Sequence, residues 1–403
     1  MDPLRYEQFR SALAQERLPA ALVHLEALEA NLELILAPVQ AQCKRLRIAS
    51  KSVRVPDLLR SLLERSQGIA QGLMCFTVEE AEFLASQGFD DLLVAYPTVQ
   101  ASDLKILAAL TRRGAKVCLV VDSEPHLQAL SRAGREAGAV IRAAVELDVS
   151  WRRGQGRIHV GARRSPVRDA ARVLELIRLA EKLGGVRVAG IMAYEAQIAG
   201  LPDRDPFTSL MNPVARAVKW LSRPDVAAKR EEVAELLRRE GIQLDFFNGG
   251  GTGSLNSTSA ESAITEVTAG SGFYCSHLFS YFRSLELHPA AFFALQVVRS
   301  SDPSLITCLG GGYVASGPAS PNKLPIPHSP PGLKLLGLEG AGEVQTPLRL
   351  PPDAPRLQPG DPVIFRHAKA GELMERFNEV LLIREGKVVD RVPTYRGLGK
   401  CFL

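Results

Sequence analysis

The chain has 403 residues, of which 46% are hydrophobic, 6% aromatic and 23% charged, the balance of a folded globular protein and one that excludes a disordered or fibrous chain. Lys and Arg number 49 against 44 Asp and Glu, a net charge of +5, and because the charges interleave without forming a basic block, nucleic acid is not an expected partner. No apolar run approaches the ~20 residues that cross a bilayer, and the N-terminal residues Met1-Asp2-Pro3-Leu4-Arg5 lack the apolar stretch of a secretory leader, so no membrane partner is expected and the chain reads as cytoplasmic.

Residues 1–18 form an N-terminal segment expected to pack on a C-terminal domain. From residue 19 to about 250 one unit repeats, a short apolar or β-branched run followed by a longer stretch of helical periodicity. The strand candidates are 20–25, 46–51, 69–76, 91–96, 116–121, 141–148, 187–194 and 242–249. Helical stretches at 56–67, 78–88, 100–114, 123–138, 166–184 and 226–240 separate them. Thr77, with Glu80 three residues on, has the spacing of a capping box at the start of the second. The stretch 226–240 alternates charges on an amphipathic frame, as a solvated outer helix does. Eight such units predict an α/β fold, a closed (β/α)8 barrel over 19–284. Beyond about residue 285 Pro and Gly become dense and helical periodicity stops, which predicts a C-terminal β-rich domain over 285–403. Its strand candidates are 292–298, 343–350, 362–366, 379–384 and 387–392, with Glu385-Gly386 as a hairpin turn. The segment 316–334 reads as a long ordered loop, a kind more often functional than idle.

In such a barrel the chemistry lies at the C-terminal ends of the strands, where Lys51, Tyr96, Asp122, Asp148, Tyr194 and Asn248 are expected. Lys51 reads either as an amine held in the barrel interior, with burial lowering its pKa for Schiff-base formation, or as a lysine reaching past the strand end to solvent. In Asn248-Gly249-Gly250-Gly251-Thr252-Gly253-Ser254 four glycines fall in five positions, which lets backbone amides approach an anion. A second small-residue turn, Ala269-Gly270-Ser271-Gly272, follows. Phosphate sites favour this end of barrels. A strand-end amine together with a phosphate nest is what pyridoxal 5'-phosphate requires. The six cysteines have no C-x-x-C pair and read as reduced. The histidines are scattered without metal spacing, His277 being the one that follows the second turn.

The motifs RIASKSVRV, CFTVEEAEFLASQGFDDLLVAYPT, GIMAYEAQ, NGGGTGS, TEVTAGSGFY, GGGYVASGP, EGAGEVQTPL, FRHAKAGELMERFNE and VPTYRGLGKCFL run through almost the whole chain. In them the sequence resembles the pyridoxal-phosphate enzymes of alanine-racemase-like fold, on the D-threonine aldolase and D-serine dehydratase branch. The resemblance implies Lys51 as the cofactor-bearing lysine and Tyr194 beside the cofactor. It implies Gly250, Thr252, Gly253, Gly270 and Ser271 at the phosphate, and an arginine at the ring for which Arg157 and Arg164 compete, Arg164 preferred. It implies a lyase acting on a small D-3-hydroxy amino acid, by retro-aldol cleavage or dehydration, in a homodimer. The family binds a divalent metal through a His-x-Cys or His-x-Asp pair, where this chain has His367-Ala368-Lys369. Either Glu372 joins His367 to keep a metal, or the Lys369 ammonium supplies the positive charge itself; His367, Lys369 and Glu372 are the candidate acid and base groups. Other readings are racemisation using Tyr395 or Tyr313, cofactor binding without turnover, and a cofactor-free phosphosugar enzyme.

Overall fold

The computed structural model describes residues 4–154, 156–318 and 320–403. Eleven strands precede residue 285: β1 (Ala20–His24), β2 (Arg45–Ala49), β3 (Ala70–Cys75), β4 (Leu92–Val94), β5 (Val117–Val121), β6 (Ile141–Glu146), β7 (Trp151–Arg153), β8 (Ile158–Val160), β9 (Val186–Ala193), β10 (Phe246–Gly249) and β11 (Glu266–Ala269). Eight of them close a parallel barrel in the order β10-β11-β2-β3-β4-β5-β6-β9. Strands covered by helices on one face and by the barrel filling on the other must be apolar on both, and β5, Val-Cys-Leu-Val-Val, is buried at every position.

The predicted first barrel strand is not in the barrel. β1 lies in the C-terminal sheet, antiparallel to β12 (Ala291–Asp302) and parallel to β18 (Glu379–Arg384). Its place in the barrel is taken by β11, which the sequence reading passed over. An apolar run reads alike in any doubly covered sheet, whereas Glu266-Val267-Thr268-Ala269 has an acid where a buried strand should be apolar. That acid is neutralised inside the barrel: Arg47 on β2 donates to both oxygens of Glu266, at 2.7 and 2.9 Å.

The remaining strands are β13 (Leu305–Leu309), β14 (Ile326–Ser329), β15 (Lys334–Leu335), β16 (Gln345–Arg349), β17 (Pro362–Arg366) and β19 (Lys387–Pro393). With β1, β12 and β18 they make a nine-stranded sheet, β15-β16-β13-β12-β1-β18-β19, with β17 bonded to β12 and β14 to β17. The segment 316–334 therefore carries β14 and the start of β15. Glu385 and Gly386 turn the last hairpin with φ of 50° and 70°, as a type I′ turn demands. The helix Tyr6–Ala12 packs on this sheet through Phe9, which is buried with Leu22, Phe292 and Ile364.

Two local readings change. Thr77 Oγ1 accepts the Glu80 amide at 3.1 Å, but the Glu80 carboxylate bonds the amide of Phe76 at 2.7 Å, so the box closes one residue early. The stretch 226–240 is the end of a longer helix, Asn212–Arg239, and Arg230 on it is fully buried. Among the described residues no helix is long and apolar enough to cross a membrane.

Candidate active site

At the C-terminal rim of the barrel Lys51, Tyr96, Arg164, Tyr194, Asn248, Gly250, Thr252, Gly270 and Ser271 line one cavity of about 170 Å³. It opens into a wider space of about 660 Å³ that Lys51 and Tyr194 share with Lys323, Lys369 and Glu372. Strand β2 stops at Ala49, and Lys51 sits on a single 3₁₀ turn, Ser50–Ser52. Its side chain is exposed where the cavity opens, which agrees with the second of the two readings, a lysine reaching past the strand end. The turn is bonded on itself, the amides of Val53 and Arg54 each donating to Ser50 O at 2.9 Å.

The Lys51 ammonium stands 5.8 Å from the centre of the Tyr96 ring. Burial pushes the Tyr96 phenol up, but Lys51 and the Arg164 guanidinium outweigh it and hold the group below its ordinary value. Arg164 lies over the rings of both Tyr96 and Tyr194, at 5.7 and 5.5 Å, and bonds Glu146 through Nε at 2.7 Å. Burial raises Glu146 to about 7 despite that partner, with Asp122 and Asp148 adding to the rise. Arg157 is exposed in the β7–β8 hairpin connection and is not brought to the cavity; Arg164, just beyond that hairpin, is. Burial also pushes Tyr194 up to about 12.

The glycine-rich turn is organised by a residue the sequence reading missed. Glu195 is fully buried and accepts from Ser254 Oγ at 2.6 Å, from Thr258 Oγ1, from the Gly250 amide at 3.0 Å and from the Arg230 guanidinium. Burial would raise this carboxyl, yet Arg230 and the other donors keep it below the usual range. The signal was present in Ala193-Tyr194-Glu195, an acid directly after an apolar strand. Gly250 has φ of +85°, which favours glycine, but its amide is committed to Glu195 and supports the turn from behind. Thr252 Oγ1 accepts the Gly272 amide at 3.0 Å and ties the two small-residue turns together. Thr252 and Ser271 each open a helical turn, Thr252–Ser254 and Ser271–Tyr274, so their own amides have no intrahelical acceptor. Gly253 does not line the cavity, and a Cβ there would meet the Phe282 ring and the Ala199 carbonyl.

Lys369 lines the wider space, whereas His367 is almost wholly buried and does not line it. Both ring nitrogens of His367 are buried without a partner, and burial holds the imidazole near 3. Glu372 is engaged elsewhere: its oxygens take the Ser316 amide at 2.8 Å and the Ser316 hydroxyl at 2.5 Å, with the Lys369 ammonium 3.7 Å away. Lys369 also donates to Ser316 Oγ at 2.9 Å. Among the described residues no three His, Cys, Asp or Glu side chains gather as a metal site, and Glu372, which one of the two alternatives joins to His367, spends its oxygens on Ser316 and Lys369 instead. His277 is buried, with Nε2 2.9 Å from Leu324 O. Tyr395 is fully enclosed with its hydroxyl on Glu80 at 2.9 Å and does not line the cavity.

The family model for the alanine racemase N-terminal domain matches residues 23–277. A D-threonine aldolase from Arthrobacter sp. is 33% identical over 259 residues, 64% of this chain and 61% of the relative. A D-threo-3-hydroxyaspartate dehydratase from Delftia sp. (strain HT23) is 28% identical over 262 residues, 62% of this chain and 60% of that one. The match thus spans about three fifths of each curated relative. The crystal structure of a D-threonine aldolase from Filomicrobium marinum superposes with a TM-score of 0.78 at 22% identity, covering 96% of each chain. A match over more than half of the chain, on the barrel and cavity just described, makes this protein a member of the alanine racemase N-terminal domain family.

Proposed function

We propose that the protein is a pyridoxal-phosphate-dependent lyase acting on a small D-3-hydroxy amino acid. The observation that carries this is the single cavity in which Lys51 faces the amide-rich turns at Thr252 and Ser271 across Tyr96, Arg164 and Tyr194. A primary amine at one end and a nest of backbone amides at the other fit an aldehyde and a phosphate on one planar ring. When bound, the cofactor withdraws electrons from the substrate's Cα.

The chain's own residues do the rest. Lys51 would supply the amine that holds the cofactor, and as a free amine it would exchange a proton at Cα, removing one for dehydration or returning one after Cα–Cβ cleavage. Arg164, fixed by Glu146 and by two aromatic faces, would hold its positive charge toward a cofactor bound in the cavity. Tyr194 closes the wall between cavity and mouth. At the mouth Lys369 puts a cation beside the substrate's β-oxygen, and Glu372, which lines the same space, exchanges a proton with it. Retro-aldol cleavage needs that group as a base and dehydration needs it as an acid, and the relatives carry names of both reactions. A homodimer is part of the proposal, supported by the exposed apolar row Leu210, Met211 and Val214 near the mouth.

Borohydride reduction of protein loaded with pyridoxal phosphate, followed by peptide mapping, tests the first step: the adduct belongs on Lys51, and an adduct elsewhere refutes the assignment. A panel of D- and L-3-hydroxy amino acids, with aldehyde and 2-keto acid assayed separately, decides between cleavage and dehydration.

A further inference from the structure

The turn that carries Lys51 is held from behind by residues far away in sequence. Tyr395, in the C-terminal segment, donates its amide to Arg54 O at 3.0 Å, and Arg54 Nε donates in turn to Lys51 O at 3.0 Å. The Tyr395 hydroxyl donates to Glu80 Oε1 at 2.9 Å, while Glu80 Oε2 accepts the Phe76 amide at the end of β3. Glu80 and Tyr395 are both fully buried. Burial raises Glu80 to about 7 against the hydrogen bonds from Phe76 and Tyr395 and the charge of Arg54; the Ser50 hydroxyl donates to Met74 O at 2.8 Å. Ser50 directly precedes Lys51. From the other side Arg54 Nη1 bonds Glu375 at 2.6 Å, and Gly371 packs so closely that a Cβ there would lie 1.9 Å from Lys51 O. Arg54 itself holds φ of +55°, a left-handed conformation that a bulky side chain adopts only where its surroundings enforce it.

A buried carboxyl and a buried phenol are costly to desolvate unless they bond each other. Here the Tyr395 amide holds Arg54 O, its hydroxyl holds Glu80, and Glu80 holds the Phe76 amide at the end of β3, the strand whose Met74 O accepts the Ser50 hydroxyl, so the chain of bonds reaches both sides of Lys51. We propose that Glu80 and Tyr395 are positioning residues: the C-terminal segment latches the Ser50–Arg54 turn and sets where the Lys51 amine stands. The proposal rests on Lys51 as the cofactor-bearing lysine, but the latch itself is a property of the unloaded chain.

Tyr395→Phe removes only the hydroxyl and keeps the edge-to-face contacts with Phe83 and Phe402, at 5.6 and 5.5 Å. In the full-length protein without cofactor, hydrogen exchange at the Val53 and Arg54 amides is expected to quicken by about tenfold, the effect of losing one buried hydrogen bond locally, with β5 and β6 unchanged. On titration with pyridoxal phosphate the visible absorbance change should develop more slowly and at higher concentration than in the parent. Glu80→Gln, which keeps the shape and an acceptor, should restore most of the protection that Glu80→Ala loses. Unchanged exchange at Val53 and Arg54, or a rise spread evenly over the barrel with an unaltered titration, would overturn the latch. A Lys51→Ala chain that titrates like the parent would instead refute the cofactor assignment.

Discussion

Lys369 is a cation where the resembling family has a metal ligand, and its ammonium shares Ser316 and Glu372 at the mouth. If that charge polarises the substrate oxygen, turnover survives prolonged chelation, and Lys369→Ala loses roughly 2–4 kcal/mol of transition-state stabilisation, read as kcat/KM. Inactivation by a chelator with recovery on adding manganese or zinc would refute this. Glu146 makes a prediction of opposite kind, on stability. Its folded pKa is about 7, raised from an ordinary 4.5 by burial. The folded chain therefore binds more protons than the unfolded one between those values, and stability falls as pH rises through that window, by up to about 1.4 kcal/mol per pH unit. Glu146→Gln should flatten the slope of stability against pH between about 5 and 7, measured by urea unfolding of the cofactor-free protein. Lys51 and Tyr194 were legible because a polar residue at a barrel strand's end has few other reasons to be there. Glu146 was not, and Glu195 showed only as an acid near the end of an apolar strand, since the role of a buried acid is recognisable only once its guanidinium partner, distant in sequence, is in place.

The proposed phosphate-binding element is a pair of turns joined by the bond from Gly272 N to Thr252 Oγ1. Thr252→Val is nearly isosteric and removes the acceptor, so it should weaken pyridoxal phosphate affinity by about tenfold, one hydrogen bond's worth, with a smaller effect on thermal stability. Equal affinity in an equilibrium titration would show that the turns hold their places independently. The glycine pattern announced these turns, because only small residues let backbone pack so near backbone. It did not announce which amides remain open: Gly250 N is committed to Glu195, a fact of tertiary pairing. The same holds for the barrel strands. Long apolar runs such as β5 were plain, but the four residues of β11 became a strand only because Arg47 neutralises Glu266 within the barrel.

Barrel and C-terminal sheet share one continuous apolar core, in which Ala21 and Val23 of β1 and Phe293 and Val363 pack with barrel residues such as Ile48 and Leu73. Unfolding by heat or denaturant should accordingly be a single transition. Phe293, fully buried and stacked on Phe365 at 5.1 Å, tests this: Phe293→Ala should cost about 3–5 kcal/mol and lower the whole transition. Two separable transitions would show the domains to be independent. The sequence by itself determined the alternation of strand and helix, the change to a β-rich C-terminal part, the hairpin at Glu385-Gly386, and the lysine and glycine turns that mark the site. All of these are written in local periodicity, in turn chemistry or in a residue type out of place. Tertiary structure alone decided that β1 leaves the barrel for the distal sheet and that β11 closes the barrel in its stead. It also decided that Arg164 and not Arg157 reaches the cavity, and that Glu80 and Tyr395 meet behind Lys51. Each of those depends on which distant groups satisfy a buried charge or an unpaired strand edge, and no local pattern carries that information.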